Sequence, residues 1–299
     1  MNNQCVLALG FFDGVHLGHG ALLRRTRLLA EQYGVPSAAL TFDTHPDVLL
    51  RGQPVPLLNS AEDRALLLRE RYGIEQLRLL HFDRAAMGQP WESFVRDTLQ
   101  KEYGAVHVVC GHDYRFGAGG EGTPEKLSAL CGELKMGCDC VPEIRLEGET
   151  VSSTLIRSLI ERGEMERAVR FLGHPHILSG EVEAGKKLGR TLGIPTANVR
   201  PPQGVLLPRA GVYAAKAVFD GLTRLCVVNI GTRPTVNGSG ITIEPWLLDF
   251  DGDLYGHTLR LEFYRFLRPE RRFASLSALK EEILRNAEET KAYFARSAQ

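Results

Sequence analysis

Gly10-Phe11-Phe12-Asp13-Gly14-Val15-His16-Leu17-Gly18-His19 sets two histidines around a glycine, between the apolar run Cys5 to Leu9 and the leucine-rich segment Ala21 to Tyr33. A short apolar run closed by glycine reads as a buried strand, and Leu22, Leu23, Leu28 and Leu29 supply the apolar positions of a following helix. The turn between such elements offers unpaired backbone N–H groups and the positive end of a helix dipole, both of which favour a phosphate. A lone loop histidine is ordinarily a surface polar residue; two at this spacing, enclosed by glycines that let a ligand approach, point to nucleotide triphosphate chemistry. Gly10, Phe11, Phe12, Asp13, Gly14 and Gly18 are therefore expected to line the nucleotide triphosphate. His16 and His19 would donate ring N–H bonds to oxygens whose charge grows in the transition state.

Outward from this loop, strand-like and helix-like segments alternate: Ser37 to Phe42, Ala61 to Tyr72, Gln76 to Leu80, Trp91 to Lys101, Ala105 to Cys110 and Glu125 to Leu134. Alternation predicts an α/β domain, a parallel sheet covered by helices with ligands at the carboxyl ends of the strands. The histidine loop, Thr41 to Pro46 and Gly111 to Gly117 then become the segments that line the site. After about Gly173 the pattern changes to short alternating strands with glycine-rich turns: Ile177 to Glu183, Gly211 to Phe219, Arg224 to Ile230, Ile241 to Asp249 and Thr258 to Leu267. These predict a small antiparallel β-barrel. Ser275 to Phe294, with Ser275 as N-cap and apolar residues at 276, 279, 283, 284, 287 and 294, predicts a closing helix.

Composition narrows the classes. A chain of 299 residues is long enough for two domains, and 43% hydrophobic residues exclude a disordered one. Lys+Arg and Asp+Glu balance at 36 each, so no global positive field recruits nucleic acid. No segment has the run of about 18 apolar residues that a membrane span needs, and Met1 to Gln4 does not open a signal peptide. Cys5, Cys110, Cys131, Cys138, Cys140 and Cys226 read as reduced thiols of a cytoplasmic protein. Cys138-x-Cys140 with Cys131 nearby lacks a well-spaced fourth metal ligand.

Two further motifs carry chemistry. In Val151-Ser152-Ser153-Thr154-Leu155-Ile156-Arg157, three hydroxyls precede a helix with Arg157 one turn in, either an ordinary N-cap or a phosphate cradle. Gly185-Lys186-Lys187-Leu188-Gly189-Arg190-Thr191-Leu192-Gly193-Ile194-Pro195-Thr196-Ala197-Asn198 is not a P-loop. It is either a glycine-rich barrel turn or a basic loop that folds over ATP phosphates, with Thr196 and Asn198 offering oxygen to magnesium.

With Phe12-Asp13-Gly14 ahead of it, His16-x-Gly18-His19 resembles the signature of nucleotidylyltransferases, and most closely the bacterial bifunctional riboflavin kinase/FMN adenylyltransferase family. Ser152-Ser153-Thr154-x-x-Arg157 and Gly193-x-Pro195-Thr196-Ala197-Asn198 match the family's motifs, in order, over roughly residues 5 to 295. The resemblance implies a Rossmann-like adenylyltransferase domain at 1–174 and a riboflavin kinase barrel with a C-terminal helix at 175–299. It implies phosphorylation of riboflavin by ATP, then AMP transfer to FMN, with Mg2+ as cofactor. Ser152, Ser153, Thr154 and Arg157 would hold the departing phosphates. His45, Asp113, Tyr114 and Phe116 would meet the flavin on the adenylyltransferase side, and Arg268 on the kinase side. Gly185, Lys187, Gly193 and Pro195 would bind the kinase's ATP, Thr196 and Asn198 its metal, and Glu244 would be the general base. Partners are then small molecules alone, beyond a weak self-association. Trp246, Gly20 and His112 depart from the family pattern, and the chain begins almost at its first strand. The competing readings are an adenylyltransferase for another phosphate ester and a flavin-binding regulatory module whose sites have decayed.

Overall fold

The computed structural model describes residues 4–43, 45, 52, 55–183, 193–235 and 238–297. The chain divides into two compact units, Met1–Leu57 with Ala61–Ser153, and Leu58–Ser60 with Thr154–Gln299.

The first unit is built on a parallel sheet of β1 (Cys5–Leu9), β2 (Ser37–Phe42), β3 (Gln76–Leu80), β4 (Ala105–Gly111) and β5 (Gly137–Val141), in the order β3-β2-β1-β4-β5. Every residue of β1 is buried, as expected of a central strand covered on both faces. The strand order reverses between β1 and β4, the point beyond whose carboxyl ends open α/β sheets place their ligand crevice. Both the histidine loop and the Gly111 loop leave the sheet at this point. The fifth strand escapes the sequence pattern because Gly137-Cys138-Asp139-Cys140-Val141 is too polar to read as a buried run.

Helix α1 (Leu17–Tyr33) packs against β1, β2 and β4. It begins ahead of the expected Ala21, because His16 caps it: the His16 ring Nδ1 accepts the backbone N–H of His19 at 3.3 Å. Its buried face is Leu22, Leu23, Thr26, Leu29 and Ala30, so Leu28, expected on that face, points outward at 46% exposure. Gly34, in the left-handed conformation at φ 66°, ends the helix by donating to Ala30 and Glu31 carbonyls. Next come α2 (Ala61–Leu66), continued by a π-helical turn over Leu67–Arg71, and the short α3 (Arg84–Met87). α4 (Trp91–Ser93) runs into π-helical Phe94–Glu102, and α5 (Pro124–Glu133) has Thr123 as N-cap and proline in its first turn. Phe94, Val95, Leu99, Leu127, Leu130 and Cys131 meet Leu7, Leu9, Val108 and Cys110 in one buried cluster. The hairpin β6 (Arg145–Leu146) and β7 (Glu149–Thr150) leads to α6 (Ser153–Arg162) and α7 (Met165–Leu172).

The second unit carries a closed barrel in the order β10-β11-β12-β9-β8-β13. Its strands are β8 (His176–Glu183), β9 (Asn198–Val199), β10 (Gly211–Phe219), β11 (Leu222–Thr235), β12 (Gly238–Leu247) and β13 (Thr258–Arg268). All of the barrel pairings are antiparallel, as the alternating segments predict. Helix α8 (Leu276–Ser297) is capped by Ser275, whose Oγ accepts the Ala278 N–H at 3.1 Å. Its buried stripe differs from the apolar one expected. Leu276 and Leu284 are exposed, and beside the expected Ala287 the polar Glu282, Asn286 and Thr290 are buried. Arg268 explains this: it donates to Asn286 at 3.0 Å and pairs with Glu282 at 3.3 Å, and Arg271 and Arg285 complete the cluster around Glu282.

Candidate active sites

The histidine loop is held in an unusual backbone. Phe12 (φ 60°), Gly14 (φ 79°) and Val15 (φ 42°) all take positive φ, and for the β-branched Val15 this is a strained conformation of the kind that clusters at functional sites. The strain turns the chain so that His16 and His19 stack, ring centroids 3.6 Å apart and planes within 15°. Because the His16 Nδ1 accepts a backbone N–H, its neutral ring carries the proton on Nε2, which is left to donate. His19 is held well below the usual histidine range by burial first, then by His16 and Arg64. Its Nδ1 is buried and has no hydrogen-bond partner among the described residues. An orphan of this kind is costly until a ligand satisfies it. His19 is therefore uncharged, and the pair is stationed at the N-terminus of α1, where an anion is favoured.

The glycines also make room within the loop itself. A Cβ at Gly10 would lie 3.1 Å from the Phe12 ring, and one at Gly18 would lie 3.1 Å from the His16 ring. Gly10 and Gly18 thus make room for the loop's own rings, while Gly14 serves the turn. The departure at Gly20 has a similar cause. A Cβ there would come within 2.4 Å of the Tyr72 hydroxyl, so a tyrosine occupies the space that a longer side chain would need.

Arg64 is the residue that sequence reasoning missed. It is 1% exposed, donates Nη2 to the Phe42 carbonyl at 2.9 Å and lies 4.3 Å over the Phe11 ring. Burial lowers its pKa and Asp13 raises it, yet an arginine stays charged. Its Nη1 has no partner among the described residues. Arg64 thereby ties the end of β2 to the histidine loop and adds positive charge beneath it. Within Ala61-Glu62-Asp63-Arg64 it reads only as a helix-surface cation, so no sequence signal marks it. The Thr41 hydroxyl donates to the Phe11 carbonyl at 2.8 Å, and the edge of His45 meets Phe11 at 4.7 Å.

Ser153 donates its hydroxyl to the Asp13 carbonyl at 2.9 Å, which fastens the serine motif to the histidine loop. Ser152 is half-buried, Thr154 is exposed at the start of α6, and Arg157 is half-buried one turn later. In the Gly111 loop, the His112 N–H donates to Val141 of β5 at 3.0 Å, and Asp113 is exposed. Tyr114 stacks on Phe116 at 5.5 Å, and Phe116 is buried among Phe94 and Trp91. Phe116 therefore supports the loop from the core, Tyr114 is half-buried against that core, and Asp113 is exposed with His112 and Arg115.

In the barrel, the register that pairs Val199 with Ile243, continued by the Ala197 N–H to Pro245 carbonyl bond at 2.9 Å, sets Asn198 opposite Glu244. On the other side, Asn229 pairs with Glu244. Opposed residues project to one face of a sheet, so Glu244 stands between two amides. Asn229 is a second residue that the sequence reading had not assigned. Close by in the chain, Gly193, Pro195 and Thr196 line a cavity of about 400 Å³ with Phe250, Asp251 and Asp253. Gly185 and Lys187 lie outside the described residues. Arg268, expected at the flavin, donates to Asn286 and pairs with Glu282 of α8. Trp246 packs against the apolar cluster of Val212, Val227, Leu248 and Ala287.

Comparison with known proteins adds two family models: "FAD synthetase" matches residues 1–155 and "Riboflavin kinase" matches residues 172–294. A bifunctional riboflavin kinase/FMN adenylyltransferase of Listeria monocytogenes is 36% identical over 97% of this chain and 93% of its own length. The proteins of the same name from Bacillus subtilis and Escherichia coli are 34% and 35% identical, again over 97% of this chain and 93% of theirs. A crystal structure from Streptococcus pneumoniae, named a macrolide-efflux protein, superposes with a TM-score of 0.87 at 28% identity, over 96% of this chain and 94% of that one. Among the described residues, no helix is long and apolar enough to cross a membrane.

Proposed function

The chain belongs to the bifunctional riboflavin kinase/FMN adenylyltransferase family, and on that premise we propose that it phosphorylates riboflavin with ATP to FMN, then adenylylates FMN with a second ATP to give FAD and pyrophosphate. The observation that carries this is the presence in one chain of a stacked histidine pair on a helix N-terminus and a carboxylate flanked by two amides on a barrel wall. Each suits one of the two transfers. A regulatory module with decayed sites finds no support, since His16, His19, Thr196 and Glu244 are all present.

In adenylylation, the FMN phosphate oxygen attacks the α-phosphorus of ATP, so the protein supplies position and charge rather than a nucleophile. His16 donates from Nε2, and His19 from whichever ring nitrogen holds its proton, to the α-phosphate oxygens as charge builds. Gly10, Phe11, Phe12, Asp13, Gly14 and Gly18 form the wall of that site, with Arg64 beneath. Ser152, Ser153, Thr154 and Arg157 take the departing pyrophosphate. Asp113, Tyr114 and His45 orient the flavin.

In phosphorylation, Glu244 accepts the proton of the riboflavin 5′-hydroxyl as that oxygen attacks the γ-phosphate. Asn198 and Asn229 fix the carboxylate. The Thr196 hydroxyl and the Asn198 carbonyl are hard oxygen donors beside a cavity that also presents Asp251 and Asp253, a donor set that suits Mg2+. When bound, Mg2+ neutralises phosphate charge. Gly193 and Pro195, with Gly185 and Lys187, border the nucleotide.

We place the functional boundary between 174 and 175, the protein in the cytoplasm, and any self-association as weak. The unbonded state of all six cysteines supports the cytoplasm. The test is incubation with riboflavin, ATP and magnesium, followed by chromatography. FMN should appear first and FAD after it, and the absence of both overturns the reading.

A further inference from the structure

Four thiols meet beneath the Gly111 loop, a cluster the proposed reactions leave unused. β4 and β5 run parallel with Cys110 opposite Cys140, so Cys110, Cys140 and Cys138 project to the same face of the sheet. α5 lies on that face and delivers Cys131 into the same buried cluster. Cys138 packs against that cluster, and hydrogen bonding from Cys110 and Cys131 lowers its pKa. Cys138 is half-buried and Cys140 exposed, so a small oxidant reaches the edge of the group. Among the described residues, no group of three or more Cys, His, Asp or Glu side chains could hold a metal ion.

We propose that Cys138 and Cys131 are an oxidation site that closes to a disulfide when a peroxide reaches it, and that the bridge suppresses FMN adenylylation without altering riboflavin phosphorylation. The second half rests on the adenylylation site described above. The Cys138 thiolate attacks one peroxide oxygen and breaks the O–O bond, forming a sulfenic acid and releasing hydroxide. The Cys131 sulfur then displaces hydroxide from that sulfur and loses its own proton, so two thiols and one hydrogen peroxide become one disulfide and two waters. Two hydrogen bonds to one sulfur favour its thiolate, in keeping with the direction of the Cys138 pKa, well below the usual thiol range. Cys110 is the poorer resolving thiol. It sits diagonally from Cys138 across two strands, where Cα atoms stand about 7–8 Å apart, beyond the reach of an unstrained bridge. Coupling to the site is short. Cys110 directly precedes the Gly111 loop, and the His112 N–H is anchored on Val141, the residue after Cys140.

The experiment treats the reduced full-length protein with hydrogen peroxide, maps disulfide-linked peptides by mass spectrometry and assays both transfers. The expected result is a Cys131–Cys138 link, FMN adenylylation reduced by about tenfold or more and restored by dithiothreitol, and an unchanged kinase rate. Cys138→Ser and Cys131→Ser should each keep adenylylation through peroxide treatment. Failure of the thiols to oxidise, a Cys110–Cys140 link alone, or a Cys131–Cys138 link with undiminished adenylylation overturns the proposal. A reduced protein that makes no FAD contradicts the functional reading instead, and peptide mapping still judges the bridge.

Discussion

Arg64 and the two histidines stand at opposite ends of what a sequence discloses at the scale of one residue. His16 and His19 announce themselves because two imidazoles among glycines have few other uses, though their stacking and the capping role of His16 depend on backbone angles that no composition reveals. Arg64 is silent in the sequence because its meaning lies in burial. Its guanidinium is enclosed by Phe11, Phe42 and the charge of Asp13. Arg64→Met should leave the Phe42 carbonyl and Asp13 without their cation, costing about 1–3 kcal/mol of stability. FAD formation from FMN should fall by about tenfold to a hundredfold as the loop shifts, with riboflavin phosphorylation intact. Arg64→Lys keeps the charge but not the planar fork, and should recover only part of the loss. Steady-state rates for the two transfers, with a melting curve, check this.

At the scale of elements, regular segments were legible where one physical signal dominated. β1 and β10 are runs of small and apolar residues bounded by glycine, and their observed limits match those read from sequence. α8 was legible as a helix but not in its facing. The apolar residues at helical spacing suggest a hydrophobic stripe, whereas Arg268 draws Glu282 and Asn286 inward and leaves Leu276 and Leu284 in solvent. β5 was missed because this half-buried edge strand carries thiols and Asp139 rather than an apolar run. The first residue of β8 carries a consequence for pH. His176 is buried beside Phe263, its Nε2 has no partner among the described residues, and burial lowers its pKa to about 4. The unfolded chain binds a proton near 6.5 that the folded barrel refuses. This contribution to stability is thus whole above that pH and is lost as pH falls from 6.5 towards 4, up to about 3 kcal/mol. Thermal melts at pH 7 and pH 5 should show a drop in the wild type that His176→Phe diminishes. An equal drop in both would dismiss His176 as the cause.

Across the whole molecule, the change from alternating α/β segments to closely spaced strands reported two architectures. Sequence could not report that Asn198 and Asn229 flank Glu244, because that neighbourhood is created by strand register between distant segments. Nor could it report that Arg268 pairs with Glu282 and Asn286, since those partners come from the last helix. The central claim is that one chain holds two independent transfer sites. The most direct measurement is flavin chromatography of the wild type, His19→Ala and Glu244→Gln, each supplied with ATP and magnesium and with either riboflavin or FMN. The account predicts that His19→Ala turns riboflavin into FMN and stops there, while Glu244→Gln leaves riboflavin untouched yet converts FMN to FAD. If either variant keeps both conversions, or either loses both while remaining folded, two separate sites with these residues at their centres are contradicted.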